Sequence, residues 1–233
     1  MSNKSTCVIL HLHYVDLLEY FESYLNNINE DYDLYITLTE GTYGEGFIEK
    51  VNSKFKNVKI YTLENRGMDV APFLYVLRKI SMEGLKYDCI IKLHSKKSLA
   101  HSQELGERWR DSLVSALLCK QSVYNWNLNM IKTHPTIRMV GANAWIIGQG
   151  YSGYEQDYIS SEVPKDYSYS FVAGTMFMVD FNLIMDWFIQ EDIFNKFYDK
   201  FPSGYITDLS IAHQLERFFG CLVTLKGFSI LRV

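Results

Sequence analysis

Short apolar runs alternate with amphipathic stretches through the first half of the chain. The segments "CVILHLHY", "DLYITLT", "NVKIYTL" and "DCIIKLH" read as strands, because short β-branched and aromatic runs bounded by polar clusters suit a buried pleat. Helices are expected between them, from about Val15, near Gly46 to Phe55, and from about Val70. This repeated strand–helix order predicts a mostly parallel sheet covered by helices. Near-continuous apolar strands are what burial on both faces of such a sheet requires. Further on, a helix is expected over about Leu105 to Leu118, with later strands over "IRMVGANAW" and "SYSFVAGTMFMVD". The aperiodic stretch between those two, "IIGQGYSGYEQDYISSEVPKDYS", reads as a long loop of the kind that often serves binding. From Thr207, "TDLSIAHQLERFFG" resumes a helix, with Ile211, Leu215 and Phe218 at helical spacing and Gly220 placed to end it.

Length and composition narrow the picture. With 233 residues, 48% of them hydrophobic, the chain can fill the core of one α/β domain, and no repeat or linker divides it. A net charge of −4 argues against a general nucleic-acid binder. Any anion site must therefore be local. Cys7, Cys89, Cys119 and Cys221 show no paired spacing, so neither a zinc site nor a disulfide framework is indicated and a reducing compartment fits. No leader pattern precedes Cys7 and no apolar run approaches the roughly 18–20 residues that cross a bilayer. A cytoplasmic protein is expected, with any contact to the inner face of a membrane made through partners.

Ligands of open parallel sheets sit beyond the carboxyl ends of the strands, so the residues at those exits are the first candidates. The first strand delivers His11, His13 and Tyr14; the second Thr37, Thr39 and Glu40; the third Glu64, Asn65, Arg66, Gly67 and Asp69; the fourth His94, Lys96 and Lys97. An arginine and several cationic or hydrogen-bonding groups on one edge suit a phosphate or diphosphate. Tyr14 could stack on a base. In "NRGMDVAPFL", Asn65 and Arg66 could reach a nucleotide while Gly67 lets the backbone approach; alternatively Gly67 makes a turn and Asp69 caps the next helix, with Pro72 in its first turn. Both readings can hold together. Trp109 and Trp145 could be sugar platforms, although core is the commoner fate of a tryptophan.

The segments "ENRGMDVAPFL", "YDCIIKLHSKKS", "WRDSLVSALL", "FVAGTMFMV" and "AHQLERFFG", in this order, resemble the rhamnan synthesis protein F family of bacterial polysaccharide glycosyltransferase-like proteins, over roughly residues 8 to 220. The resemblance implies a GT-A-like, Rossmann-like α/β/α sandwich, a single glycosyltransferase-like domain over 1–233, and a deoxythymidine diphosphate rhamnose donor. GT-A transferases usually place an Asp-x-Asp metal motif after the fourth strand. Here His94-Ser95-Lys96-Lys97-Ser98 stands in that place. The expectation is accordingly metal-independent transfer with no required cofactor, in which Lys96 or Lys97 and Arg66 neutralise the leaving diphosphate.

The same resemblance makes Asp208 the candidate base, since an acidic residue opens a helix behind the acceptor site of many inverting GT-A enzymes. Asp in a first helical turn is also stabilising in its own right. Glu216 lies two turns further on and is the second catalytic candidate, able to pair with Arg217 or hold His213 instead. Gly174 and Thr175, where GT-A relatives leave room for a sugar ring, are placed with His213 on the sugar and acceptor side, although a tight strand-packing contact would explain Gly174 equally well. The function expected is transfer of a sugar, rhamnose by resemblance, from a nucleotide diphosphate donor to a cell-surface polysaccharide or its lipid-linked precursor, with inversion. The rival is a noncatalytic glycan-binding or assembly module, which the missing Asp-x-Asp motif favours. A nucleotide-binding enzyme of unrelated chemistry is disfavoured by the absence of GxGxxG after the first strand.

Overall fold

The computed structural model describes residues 4–97, 102–148, 162–163, 167–204 and 210–233. The described strands are β1 (Thr6–Leu12), β2 (Tyr32–Thr39), β3 (Val58–Leu63), β4 (Cys89–His94), β5 (Ile137–Gly141), β6 (Ile146–Gly148), β7 (Ser170–Val172), β8 (Phe177–Asp180) and β9 (Ser229–Arg232). The described helices are α1 (Leu18–Leu25), α2 (Phe47–Lys54), α3 (Val70–Met82), α4 (Gln103–Leu118), α5 (Gln121–Thr133), α6 (Phe181–Gln190), α7 (Ile193–Phe197) and α8 (Ile211–Leu225). Among these residues no helix is long and apolar enough to cross a membrane.

Seven strands form one sheet in the order β3-β2-β1-β4-β8-β5-β9, and β6 pairs with β7 in a separate ribbon. β1 to β4 are mutually parallel, and β8 runs against both of its neighbours. The expected α/β architecture with a mostly parallel sheet is therefore found. Alternation along β4 assigns its two faces. Cys89 lies against the Thr6 hydroxyl, which in turn meets Tyr124 of α5, whereas Lys92 lies over the rings of Phe73 of α3 and Phe177. One helical layer thus includes α5 and α4, and the other α3 with α6 and α8 packed on it. β1 and β4 are buried at every position, as burial on both faces demands.

Three sequence expectations change. "SYSFVAGTMFMVD" is two strands, because Gly174 (φ 92°) and Thr175 (φ 49°) turn left-handed and send β7 and β8 to different sheets. "IRMVGANAW" stops as a strand at Gly141 and passes into a short 3-10 turn over Asn143–Trp145, while Ile146–Gly148, read as loop, is β6. The rest of that loop lies largely outside the described residues. Gly220 does not end its helix, which continues to Leu225. A Cβ there would stand 2.2 Å from the Ser170 carbonyl oxygen and 2.5 Å from the Phe171 Cα. Its role is to let β7 lie directly on α8.

Candidate functional site

The chain runs from β1 outward to β2 and β3, then returns to β4 on the opposite flank of β1. A crevice opens beyond the carboxyl ends of strands where the order reverses in this way. The two exits are tied together: the Ser95 amide donates to the His11 carbonyl (2.8 Å), and the Tyr14 amide donates to the Ser95 hydroxyl (2.9 Å). Arg110, buried under the loop, donates to the Lys96 carbonyl (3.1 Å).

The floor of the crevice is a buried ionic cluster. Lys92, 1% exposed, projects from the face of β4 that meets α3 and donates to Asp69 Oδ2, to the Thr175 carbonyl (3.0 Å) and to the Thr175 hydroxyl oxygen (3.0 Å). The Thr175 hydroxyl donates to the same Asp69 oxygen. A buried ammonium is tolerable only when paired and hydrogen-bonded in this way. The contacts also hold a β-branched residue at positive φ, a conformation that costs on the order of 1–3 kcal/mol when unsupported. Asp69 is free for this task because it makes no side-chain cap, contrary to the capping alternative. The Val70 and Ala71 amides donate to the Gly67 carbonyl instead (3.1 and 3.2 Å), and Pro72 has no amide hydrogen to satisfy.

The strained turn then presents its backbone to two candidates. The Gly174 carbonyl accepts from His94 Nε2 (2.8 Å), and the Gly174 amide donates to Glu216 Oε1 (2.6 Å). A Cβ on Gly174 would meet Leu113 at 2.8 Å and Trp109 at 3.1 Å, so glycine is required for packing as well as for φ. Lys96 lies 3.7 Å from the centroid of Trp109, which stacks on Trp145 at 4.4 Å and 18°. The tryptophan pair therefore serves as a support for Lys96.

Electrostatics follow from burial. Burial lowers His11 to about 3 and His94 to about 4, so both imidazoles are neutral at pH 7, and it lowers His13 as well. Burial pulls the Asp69 carboxyl up, but protonated His94, Lys92 and the hydrogen bonds from Lys92 and Thr175 outweigh it and hold the group well below the usual carboxylate range. At neutral pH, where His94 is uncharged, Lys92 is the counter-ion. Burial raises Glu216, a hydrogen bond from Gly174 opposing it, and burial lowers Lys96 against the pull of Glu216 and Asp69.

The buried histidines make acid stability testable. Their folded pKa values lie below the ordinary value of about 6.5, so the unfolded chain binds more protons between about pH 6.5 and 4 and stability falls as pH falls through that window. Glu216, shifted upward, acts in the opposite sense, and His13, shifted downward, acts with His11 and His94. The urea midpoint should drop between pH 7.5 and 5; a flat profile would mean that the imidazoles take up protons in the folded protein.

The structure gathers Asp69, His94, Lys96, Gly174, Thr175 and Glu216 into one cluster. His11 is set beneath the rim against Thr37 (3.0 Å) and His13 against Thr39 (3.1 Å). Tyr14 meets His13 edge-on, with Lys97 4.9 Å from its centroid, and Lys97 also pairs with Asp16 at 2.7 Å. Arg66 is held elsewhere, by Glu64 at 3.2 Å, and lines a cleft of about 290 Å³ with Glu40, Thr62, Tyr198 and Asp199. Asn65 and Gly67 tie the chain to 202–204: the Gly204 amide donates to the Asn65 carbonyl and the Gly67 amide to the Pro202 carbonyl. A Cβ on Gly67 would strike Phe201 at 2.6 Å, so this glycine (φ 60°) serves both the turn and packing. His213 pairs with the Ser210 hydroxyl (2.9 Å) on the first turn of α8. Asp208 lies outside the described residues.

Sequence reasoning missed Lys92. Lys92 left a signal, a lysine inside "CIIKLH" that must find a carboxylate once the strand is buried. Among the described residues no group of three or more His, Cys, Asp or Glu is arranged to hold a metal ion, and Asp69 is already engaged with Lys92.

The family described as rhamnan synthesis protein F matches residues 1–228. Two curated relatives, both described as "Uncharacterized protein WxcX" and from two strains of Xanthomonas campestris pv. campestris, are 27% identical over 242 residues. The alignments cover 99% of this chain and 33% of theirs, so the chain spans about a third of their length. Among solved structures, residues 1–349 of S. aureus TarS align at a TM-score of 0.45 and 9% identity, covering 78% of this chain and 48% of that one.

Proposed function

The chain belongs to the rhamnan synthesis protein F family, and on that premise we propose that it is the GT-A-like catalytic domain of a glycosyltransferase in cell-surface polysaccharide synthesis. The donor is a nucleotide diphosphate sugar, with deoxythymidine diphosphate rhamnose as the first candidate, and the acceptor is a glycan or its lipid-linked precursor. The observation that supports this most is the placement of two groups on one turn: Lys96 lies over Trp109, whose indole donates to the Ala173 carbonyl, and Glu216 accepts from the next amide, Gly174. Such a pair matches the two demands of glycosyl transfer. Lys96 stabilises charge on the departing diphosphate as the bond to the anomeric carbon breaks. Glu216 takes the proton of the acceptor hydroxyl as the new bond forms.

Trp109 fixes the ammonium and Arg110 fixes its backbone, so the charge is already in place when the donor arrives. This preorganisation is what makes electrostatic stabilisation effective. Calorimetric titration with deoxythymidine diphosphate and its rhamnose ester, each with magnesium and with a chelator, tests the reading. Binding should persist in chelator and weaken roughly 10- to 100-fold in Lys96→Ala. Absence of nucleotide binding in either condition, with glycan binding retained, would establish the rival binding module. That rival draws support from the engagement of Asp69 by Lys92.

A further inference from the structure

We propose that Asp69 Oδ1 and His94 Nδ1 form a two-acceptor site that reads a pair of neighbouring hydroxyls on a sugar ring. The inference deepens the glycosyltransferase reading and rests on it for the choice of a ring diol as the ligand.

The tautomer of His94 carries the argument. Its Nε2 stands 2.8 Å from the Gly174 carbonyl oxygen, and a carbonyl can only accept, so Nε2 bears the hydrogen. Neutral imidazole has one N–H, which leaves a lone pair on Nδ1. Burial keeps the ring neutral at pH 7. Across from it, Asp69 spends Oδ2 on Lys92 and Thr175. Its Oδ1 faces His94 Nδ1 at 3.9 Å, beyond hydrogen-bond reach. Two acceptors thus sit side by side with no proton to share.

Both groups keep a small opening, with side chains 12% and 11% exposed. What fits there must donate twice. Lys92 and Lys96 act on the cluster together with the Asp69 and Glu216 carboxylates, so no single sign of charge prevails to draw an ion of the other. Water, a primary amide and a pair of adjacent ring hydroxyls are neutral groups that can donate twice, and of these the ring hydroxyls are what the ligand of a glycosyltransferase carries. Each hydroxyl contributes one proton, so two are needed to satisfy both acceptors. Discrimination against a ring lacking one of them would be strong, because a built acceptor would be left unpaired.

Two sources supply such a diol, the transferred sugar and the ribose of a ribonucleotide. Long-range proton–nitrogen NMR on protein labelled at histidine nitrogen, with His94 assigned from its absence in His94→Gln, separates them. The probes are methyl rhamnoside, its 2,3-O-isopropylidene derivative, uridine diphosphate and deoxythymidine diphosphate, which lacks the neighbouring diol. The free protein should show His94 protonated on Nε2. The Nδ1 resonance should move with the rhamnoside and not with the blocked derivative. Movement with uridine diphosphate alone would make ribose the source and sustain the two-acceptor site. A shift with the rhamnoside while neither nucleotide binds would sustain the site and overturn the donor reading. Protonation on Nδ1, or ligand binding that leaves Nδ1 unmoved, would overturn the site and leave the donor reading standing. An Nδ1 that responds to no probe overturns the site as well.

Discussion

Replacing Lys92 with Met is expected to lower the unfolding free energy by about 3–5 kcal/mol, because it strands Asp69 as an uncompensated buried charge. Lys92 is 1% exposed and its ammonium meets Asp69 and both oxygens of Thr175. Removal does more than delete an ion pair. Thr175 is held at φ 49° by these contacts, and without them the turn that carries Gly174 loses its support. The double variant Asp69→Asn, Lys92→Met removes both charges and keeps an amide oxygen to accept from the Thr175 hydroxyl. It should recover much of the loss, since a buried pair is often worth little against neutral replacements. Urea unfolding of the three proteins decides the matter. A single variant as stable as the parent would mean that Asp69 becomes protonated or hydrated at no cost, and that the cluster does not hold the turn.

The second large effect is on rate. Glu216→Gln should reduce kcat by roughly 10²–10⁴-fold, the usual contribution of a general base, while leaving donor affinity near that of the parent. The amide oxygen of Gln can still accept from Gly174, where Glu216 Oε1 now sits at 2.6 Å, so the turn keeps its partner. What is lost is the proton acceptor. Because burial raises the proton affinity of Glu216, the parent's kcat should climb with pH through a midpoint above the ordinary carboxylate range, and that limb should vanish in the variant. Single-turnover transfer from a rhamnosyl donor across a pH series reads both. If the variant keeps its rate and its pH limb, the base is another group, and Asp208 becomes the one to replace.

Much of the sheet was legible because of how parallel strands are buried. "CVILHLHY" and "DCIIKLH" carry almost no polar alternation, which only burial on both faces explains, and both are found buried throughout. The exits were legible for the same reason, since a strand whose ends are polar and whose middle is apolar declares where it leaves the core. His94, Lys96 and Asp69 were named on that ground and stand in one cluster. Arg66, named with them, is held by Glu64 at a different part of the same edge. Its distance from the lysines depends on the twist and order of the strands, which residue type does not encode.

The strands and helices of the first half, the parallel direction of the first four strands and the polar exits were determined by the sequence alone, because periodicity and burial act over a few neighbouring residues. The pairing of Lys92 with Asp69 and Thr175, the break of "SYSFVAGTMFMVD" at a left-handed threonine, and the use of Gly220 for close contact with β7 were decided only by tertiary structure. Lys92 is 23 residues from Asp69 and 83 from Thr175, and Thr175 is 106 from Asp69. A conformation stabilised across such distances leaves no local pattern. The same turn, read without those partners, is an apolar run that favours a continuous strand.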